Sequence, residues 1–132
     1  MLDARKNWIR LKNDMVKDRP MRMLFRRTFY FDELPEAAKL MVSADSRYKM
    51  YVNGQFVEAG PCKGDSEVWY YDTLELVSYL RTGKNVIAVE VLAFPHEHGN
   101  GSFSIFRTGH PGLFVSGKAE SRHIAIDLST DE

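Results

Sequence analysis

Six side chains near the middle of the chain have the chemistry to hold a sugar or a cation: Asp45, Arg47, Asp65, Glu67, Trp69 and Asp72. Sugar C–H faces stack on aromatic rings, and sugar hydroxyls take carboxylate, amide or guanidinium partners. Trp69 supplies a ring, and Asp45, Arg47 and Asp72 supply planar polar groups, so these four form a candidate carbohydrate-binding set. Asp65 and Glu67, with Asp72 beside them, are candidate ligands of a structural calcium, an ion that needs about six or more oxygens including backbone carbonyls. No cofactor is required by either reading. A plainer alternative stands next to both: Arg47 and Asp72 pair to pin the 69–72 stretch to a sheet, Trp69 enters the core, and the loop acids stay solvated.

Other chemistry finds less support. His96-Glu97-His98 would put two imidazoles on one side of an extended segment, and His110 could complete a zinc site. The run falls in the glycine-rich stretch 95–102 (PHEHGNGS), where a polar loop is the better reading. No Gly-x-Ser-x-Gly elbow occurs, and Cys62 has no histidine placed near it by sequence. Gly99-Asn100-Gly101 is too short and wrongly flanked to cradle phosphate.

The element that must position the candidate set is the stretch 41–61 (MVSADSRYKMYVNGQFVEAGP). Asn53-Gly54 between two alternating runs predicts a two-residue hairpin, because both central positions need positive φ. A regular ladder pairs Val52 with Gln55, Tyr51 with Phe56, Met50 with Val57 and Lys49 with Glu58. It turns Tyr48, Met50, Val52, Val57 and Ala59 inward and leaves Tyr51–Phe56 and Lys49–Glu58 outside. The turn lies at one end of its strands, so Asp45-Ser46-Arg47 lies at the other. The loop 60–68 leaves from that same end and brings Asp65, Glu67 and Trp69 to one rim.

Around this hairpin the chain reads as strands. Residues 22–31 (RMLFRRTFYF) alternate Phe25, Phe29 and Phe31 against Arg26, Thr28 and Tyr30. Leu40, Val42 and Ala44 alternate inward. Residues 69–73 are extended, 74–80 carry one helical turn, and 85–94 (NVIAVEVLAF) form the most apolar strand, with Ile87, Val89 and Val91 on one face. Residues 103–106, 112–117 and 123–128 complete the set, and Trp8-Ile9 forms a short strand that pins the arm 1–20. Many short strands with almost no helix predict an all-β protein, an antiparallel β-sandwich of the jelly-roll kind, in one domain spanning 1–132.

Composition narrows the partners. Lysine plus arginine equal aspartate plus glutamate at 18 each, so no net field draws the chain to nucleic acid or an acidic membrane. A single cysteine excludes an internal disulfide framework, and no apolar run approaches the ~20 residues of a membrane helix. The chain therefore reads as soluble. A signal peptide on a longer parent would lie outside these residues, which leaves cytoplasm and periplasm or exterior both open.

The ordered set FRRTF (25–29), SADSRYKMYVNG (43–54), GP (60–61), WYYDTLEL (69–76) and LRTGKNVIAVEV (80–91) resembles the N-terminal β-sandwich of bacterial α-L-rhamnosidases. Trp8-Ile9 resembles that family's opening strand, and 129–132 resembles the start of a segment that continues, as in a fragment cut from a longer hydrolase. The stretch 94–111 departs most from the family pattern. The resemblance implies a galactose-binding-like sandwich, often with a structural calcium, joined to a separate (α/α) barrel that carries the catalytic acids. None of those acids maps onto a position here.

Three functions follow as expectations. The first is a non-catalytic accessory domain that docks on the catalytic domain of a rhamnosidase-like parent. The second is a carbohydrate-binding module with Trp69, Asp45 and Arg47 at an open rim, taking a sugar such as L-rhamnose. The third is a small metal-dependent enzyme built on His96, Glu97 and His98.

Overall fold

A computed structural model of the chain describes residues 8–9, 20–62, 70–94 and 112–130. Among the described residues the chain forms β1 (Trp8–Ile9), β2 (Met21–Phe31), β3 (Ala37–Asp45), β4 (Arg47–Val52), β5 (Gln55–Gly60), β6 (Asp72–Glu75), β7 (Gly83–Ala93), β8 (Gly112–Glu120) and β9 (Ala125–Asp127). One 3-10 turn, Val77–Tyr79, sits between β6 and β7 where a helical turn was expected. The strands build two antiparallel sheets. One runs β2-β7-β4-β5; the other runs β1-β8-β3-β6, with β9 also on β8. The arrangement is a β-sandwich, and among the described residues no helix is long and apolar enough to cross a membrane.

Alternation decides which residues enter the space between the sheets. Phe29, Phe31, Leu40, Val42, Ala44, Ile87, Val89 and Val91 are all buried, as their spacing predicts, and Phe25 packs against them half-buried. From the central hairpin come Tyr48, Met50 and Val52, each at most 2% exposed. Leu113, Val115 and Ala119 of β8 close the core from the opposite sheet. The expected β1 is present: Trp8 pairs with Phe114 across the ladder, and their ring centroids lie 5.7 Å apart. The expected strand at 103–106 lies outside the described residues.

The hairpin departs from the regular ladder in one place. Val52–Gln55 and Tyr51–Phe56 pair as expected, but a bulge then shifts the register, so Met50 faces Glu58, Lys49 faces Ala59 and Tyr48 faces Gly60. The expected Met50–Val57 and Lys49–Glu58 pairs do not form. Val57 is the extra residue and stays half-buried against the core, whereas Ala59 is exposed rather than inward. The physical reason sits beside Tyr48. A Cβ at position 60 would overlap the Asp72 carboxylate and press within 3.2 Å of the Tyr48 ring. The bulge puts glycine where no side chain fits, and bulges of this kind are common on edge strands such as β5.

Candidate functional site

Of the predicted rim residues, Asp45 and Arg47 lie at one end of the sandwich. Strand β3 ends at Asp45 and β4 starts at Arg47, so residues 45–47 carry the chain from one sheet to the other. Gly60 faces Tyr48, which brings Pro61 and Cys62 to the same end, and β6 begins there at Asp72 opposite Val42. Trp69, Asp65 and Glu67 lie outside the described residues. The same holds for His96, Glu97, His98 and His110. Among the described residues no group of three or more histidine, cysteine, aspartate or glutamate side chains could hold a metal ion.

The residues at this end differ sharply in exposure. Asp45 and Ser46 are each only 2% exposed. Ser46 donates its hydroxyl to Asp45 Oδ1 at 3.2 Å and accepts the Phe94 N–H at 3.0 Å, while its own N–H reaches the Leu92 carbonyl at 3.3 Å. The pair therefore fastens the β3–β4 crossing to the end of β7. A buried polar group without such partners would cost stability, so these bonds account for its place inside. Arg47, in contrast, is exposed.

Asp72 points inward from β6 and receives the Tyr48 hydroxyl on Oδ2. The bond crosses the interior, since Tyr48 and Asp72 belong to opposite sheets. It replaces the Arg47–Asp72 pairing that the plainer sequence reading offered. Burial first, and then the Asp72 hydrogen bond and charge, push the Tyr48 hydroxyl far above its ordinary pKa. At neutral pH it is a fixed donor and no base.

Sequence reasoning passed over two aromatic residues here. Tyr70 and Tyr71 are 50% and 53% exposed, and the Tyr70 carbonyl is held by the Ser43 hydroxyl at 2.7 Å. Their neighbour Asp72 is bonded to Tyr48, whose neighbour is Arg47. Two rings and one guanidinium thus leave the same end of the sandwich, on backbone anchored by buried hydrogen bonds. The WYY run carried the signal, but only its tryptophan was singled out. The arrangement can offer stacking surface and a planar cation. It contains no pair of exposed carboxylates among the described residues that could act as acid and base.

The chain is similar to solved rhamnosidases. It matches the GH78 family rhamnosidase of Bacillus sp. GL1 at 30% identity with a TM-score of 0.73, covering 96% of this chain and 12% of that one. It matches the α-L-rhamnosidase of Aspergillus terreus at 20% identity and a TM-score of 0.71, covering 96% and 16%. A lectin from Pleurotus ostreatus, solved in complex with GalNAc, matches at 21% identity and 0.62, covering 97% and 33%. Each likeness embraces nearly all of this chain and a small part of the rhamnosidases, so the chain resembles one small domain of such proteins. No family model and no curated protein matches it.

Proposed function

We propose that this chain is an accessory β-sandwich of an α-L-rhamnosidase-like glycoside hydrolase, non-catalytic by itself, that docks on and supports the catalytic domain. The observation that carries the reading is the match to the Bacillus enzyme, near-complete on this side and 12% on the other. The rim adds support. Asp45, Ser46 and Asp72 are engaged in holding the sheets together, which leaves Tyr70, Tyr71, Arg47 and Cys62 as the exposed groups at this end among the described residues. Exposed rings beside a single arginine suit a packing contact between domains, where aromatic residues and arginine are favoured. Catalytic carboxylates would then belong to the parent's other domain.

A second reading keeps the carbohydrate-binding module, with Tyr70, Tyr71 and Arg47 joining Trp69 as the platform. The exposure of both tyrosines is what favours it. A structural calcium at Asp65 and Glu67 is compatible with either reading.

One NMR comparison separates them. The labelled chain is titrated with L-rhamnose and a panel of small sugars, with and without calcium, and separately with the Bacillus rhamnosidase lacking its matching segment. Docking predicts broadening at Arg47, Tyr70 and Tyr71 with the truncated enzyme and silence with every sugar. Saturable shifts at those residues with a monosaccharide alone would replace docking by sugar binding.

A further inference from the structure

The chain as a whole is neutral, but the outer face of the β2-β7-β4-β5 sheet is not. Register and alternation put three rows on it. Arg22, Leu92 and Arg47 make the first, Leu24, Glu90, Lys49 and Ala59 the second, and Arg26, Ala88, Tyr51 and Phe56 the third. Lys84 follows further along, opposite Tyr30. The described outward positions therefore carry five cations, Arg22, Arg26, Arg47, Lys49 and Lys84, against the single acid Glu90. Glu90 is engaged by Arg22 at 2.9 Å. Arg26, Arg47, Lys49 and Lys84 are exposed and have no carboxylate partner among the described residues.

Between these cations lies an aromatic step. Tyr51 and Phe56 meet edge to face with centroids 5.8 Å apart, and Phe56 is 53% exposed. The small Ala88 faces Tyr51 in the ladder, so the ring pair stands clear on that side. A protein partner would have to bury Lys49 near the centre of its interface, where lysine is depleted. A nucleic acid, with one charge per ~1.7 Å of duplex, depends more than a sparsely charged sugar chain on a long-range positive field, and this neutral chain has none. A carboxylate-bearing sugar chain avoids both penalties. It leaves the cations wet at its flanks, its ring C–H face fits an exposed aromatic edge, and its planar carboxylates suit guanidinium and ammonium donors.

From this placement we infer a binding surface for an acidic polysaccharide, a chain of uronate sugars, on the outer face of the four-stranded sheet, with Phe56 and Tyr51 as the stacking step and Arg26, Arg47 and Lys49 as the carboxylate partners. The surface shares Arg47 with the strand-end rim, but Arg26, Lys49, Tyr51, Phe56 and Ala88 are not rim residues, so the inference stands whether or not the accessory-domain reading does.

The test is a titration of the labelled chain with galacturonate oligomers, uncharged galactan oligomers and poly(U) as separate arms. Galacturonate should produce saturable shifts at Arg26, Lys49, Tyr51, Phe56 and Ala88 that weaken as salt is added, with none from galactan. Phe56→Ala should weaken binding about tenfold, the scale of one aromatic contact. Arg26→Gln with Lys49→Gln should abolish it at an unchanged unfolding midpoint. No response to galacturonate would overturn the inference, and so would an equal response to poly(U) at the same residues.

Discussion

Just past the end of the β4–β7 ladder, the Asn53 side-chain amide donates to Asn85 Oδ1 at 2.9 Å. Asn53 occupies the left-handed turn position at φ 50°, and its side chain also donates to the Tyr79 carbonyl and accepts the Val86 N–H. Asn85 is fully buried. Its amide donates to the carbonyls of Arg81 and Gly83, and its oxygen accepts the Arg81 N–H as well. Two amides thus tie the hairpin tip, the 3-10 turn and the start of β7 into one unit.

Asn85→Ala should therefore be severe. It strands several backbone groups in a dry site, and a loss of roughly 3 kcal/mol or more is expected, read by urea unfolding. Asn53→Gly keeps the turn conformation and removes only the side-chain bonds, so it should cost clearly less, about 1–2 kcal/mol.

The Tyr48–Asp72 bond and Gly60 should behave as one energetic unit. Tyr48→Phe leaves the Asp72 carboxylate short of a donor and should cost about 1–3 kcal/mol. Gly60→Ala displaces that carboxylate, since the new methyl overlaps it. In a double-mutant cycle the Gly60→Ala penalty should shrink once Asp72→Ala is present, and full additivity would contradict the coupling.

Alkaline stability should report the same hydroxyl. Its folded pKa lies above the ordinary 10, so its contribution is complete below that pH and declines as pH rises and the unfolded chain ionises. Stability of the native sequence should fall above about pH 10 more steeply than that of Tyr48→Phe, measured as unfolding midpoint against pH.

Asp127 gives the acid counterpart. Its carboxyl is held below the ordinary range by hydrogen bonds from the Ser129 hydroxyl and backbone N–H, the latter at 2.9 Å. The stabilisation is present above the ordinary carboxylate pKa and is lost as pH falls through the depressed folded value. Asp127→Asn should flatten that acid limb, with the change confined to hydrogen exchange around residues 127–130 if the effect is local.

Much of this fold was legible because side-chain alternation needs only local sequence. The inward rows of β2, β3, β4 and β7 follow directly from period-two spacing. Glycine in the turn, and asparagine before it, announced the hairpin. The bulge at Val57 did not show, because an edge strand with mostly exposed residues satisfies either register. The Tyr48–Asp72 bond was equally hidden. Its partners are 24 residues apart on different sheets, and no local pattern joins them. At the rim, the sequence supplied the location and the polar types but could not tell Asp45, spent on Ser46, from Arg47, left outside. Burial is a property of the crossing between sheets, and pairing order sets it.

Pairing order has one more outcome, in time rather than space. The four-stranded sheet has all its strands once residue 93 is made, but β3 finds its main partner only in β8, which starts at Gly112, and β1 waits for the same strand. During synthesis, the Leu40–Val42 row therefore faces a finished half-sandwich with one flank still unpaired until β8 leaves the ribosome. Truncations that stop before β8 should yield an aggregating species, whereas those that keep β8 and lose only the final residues should not.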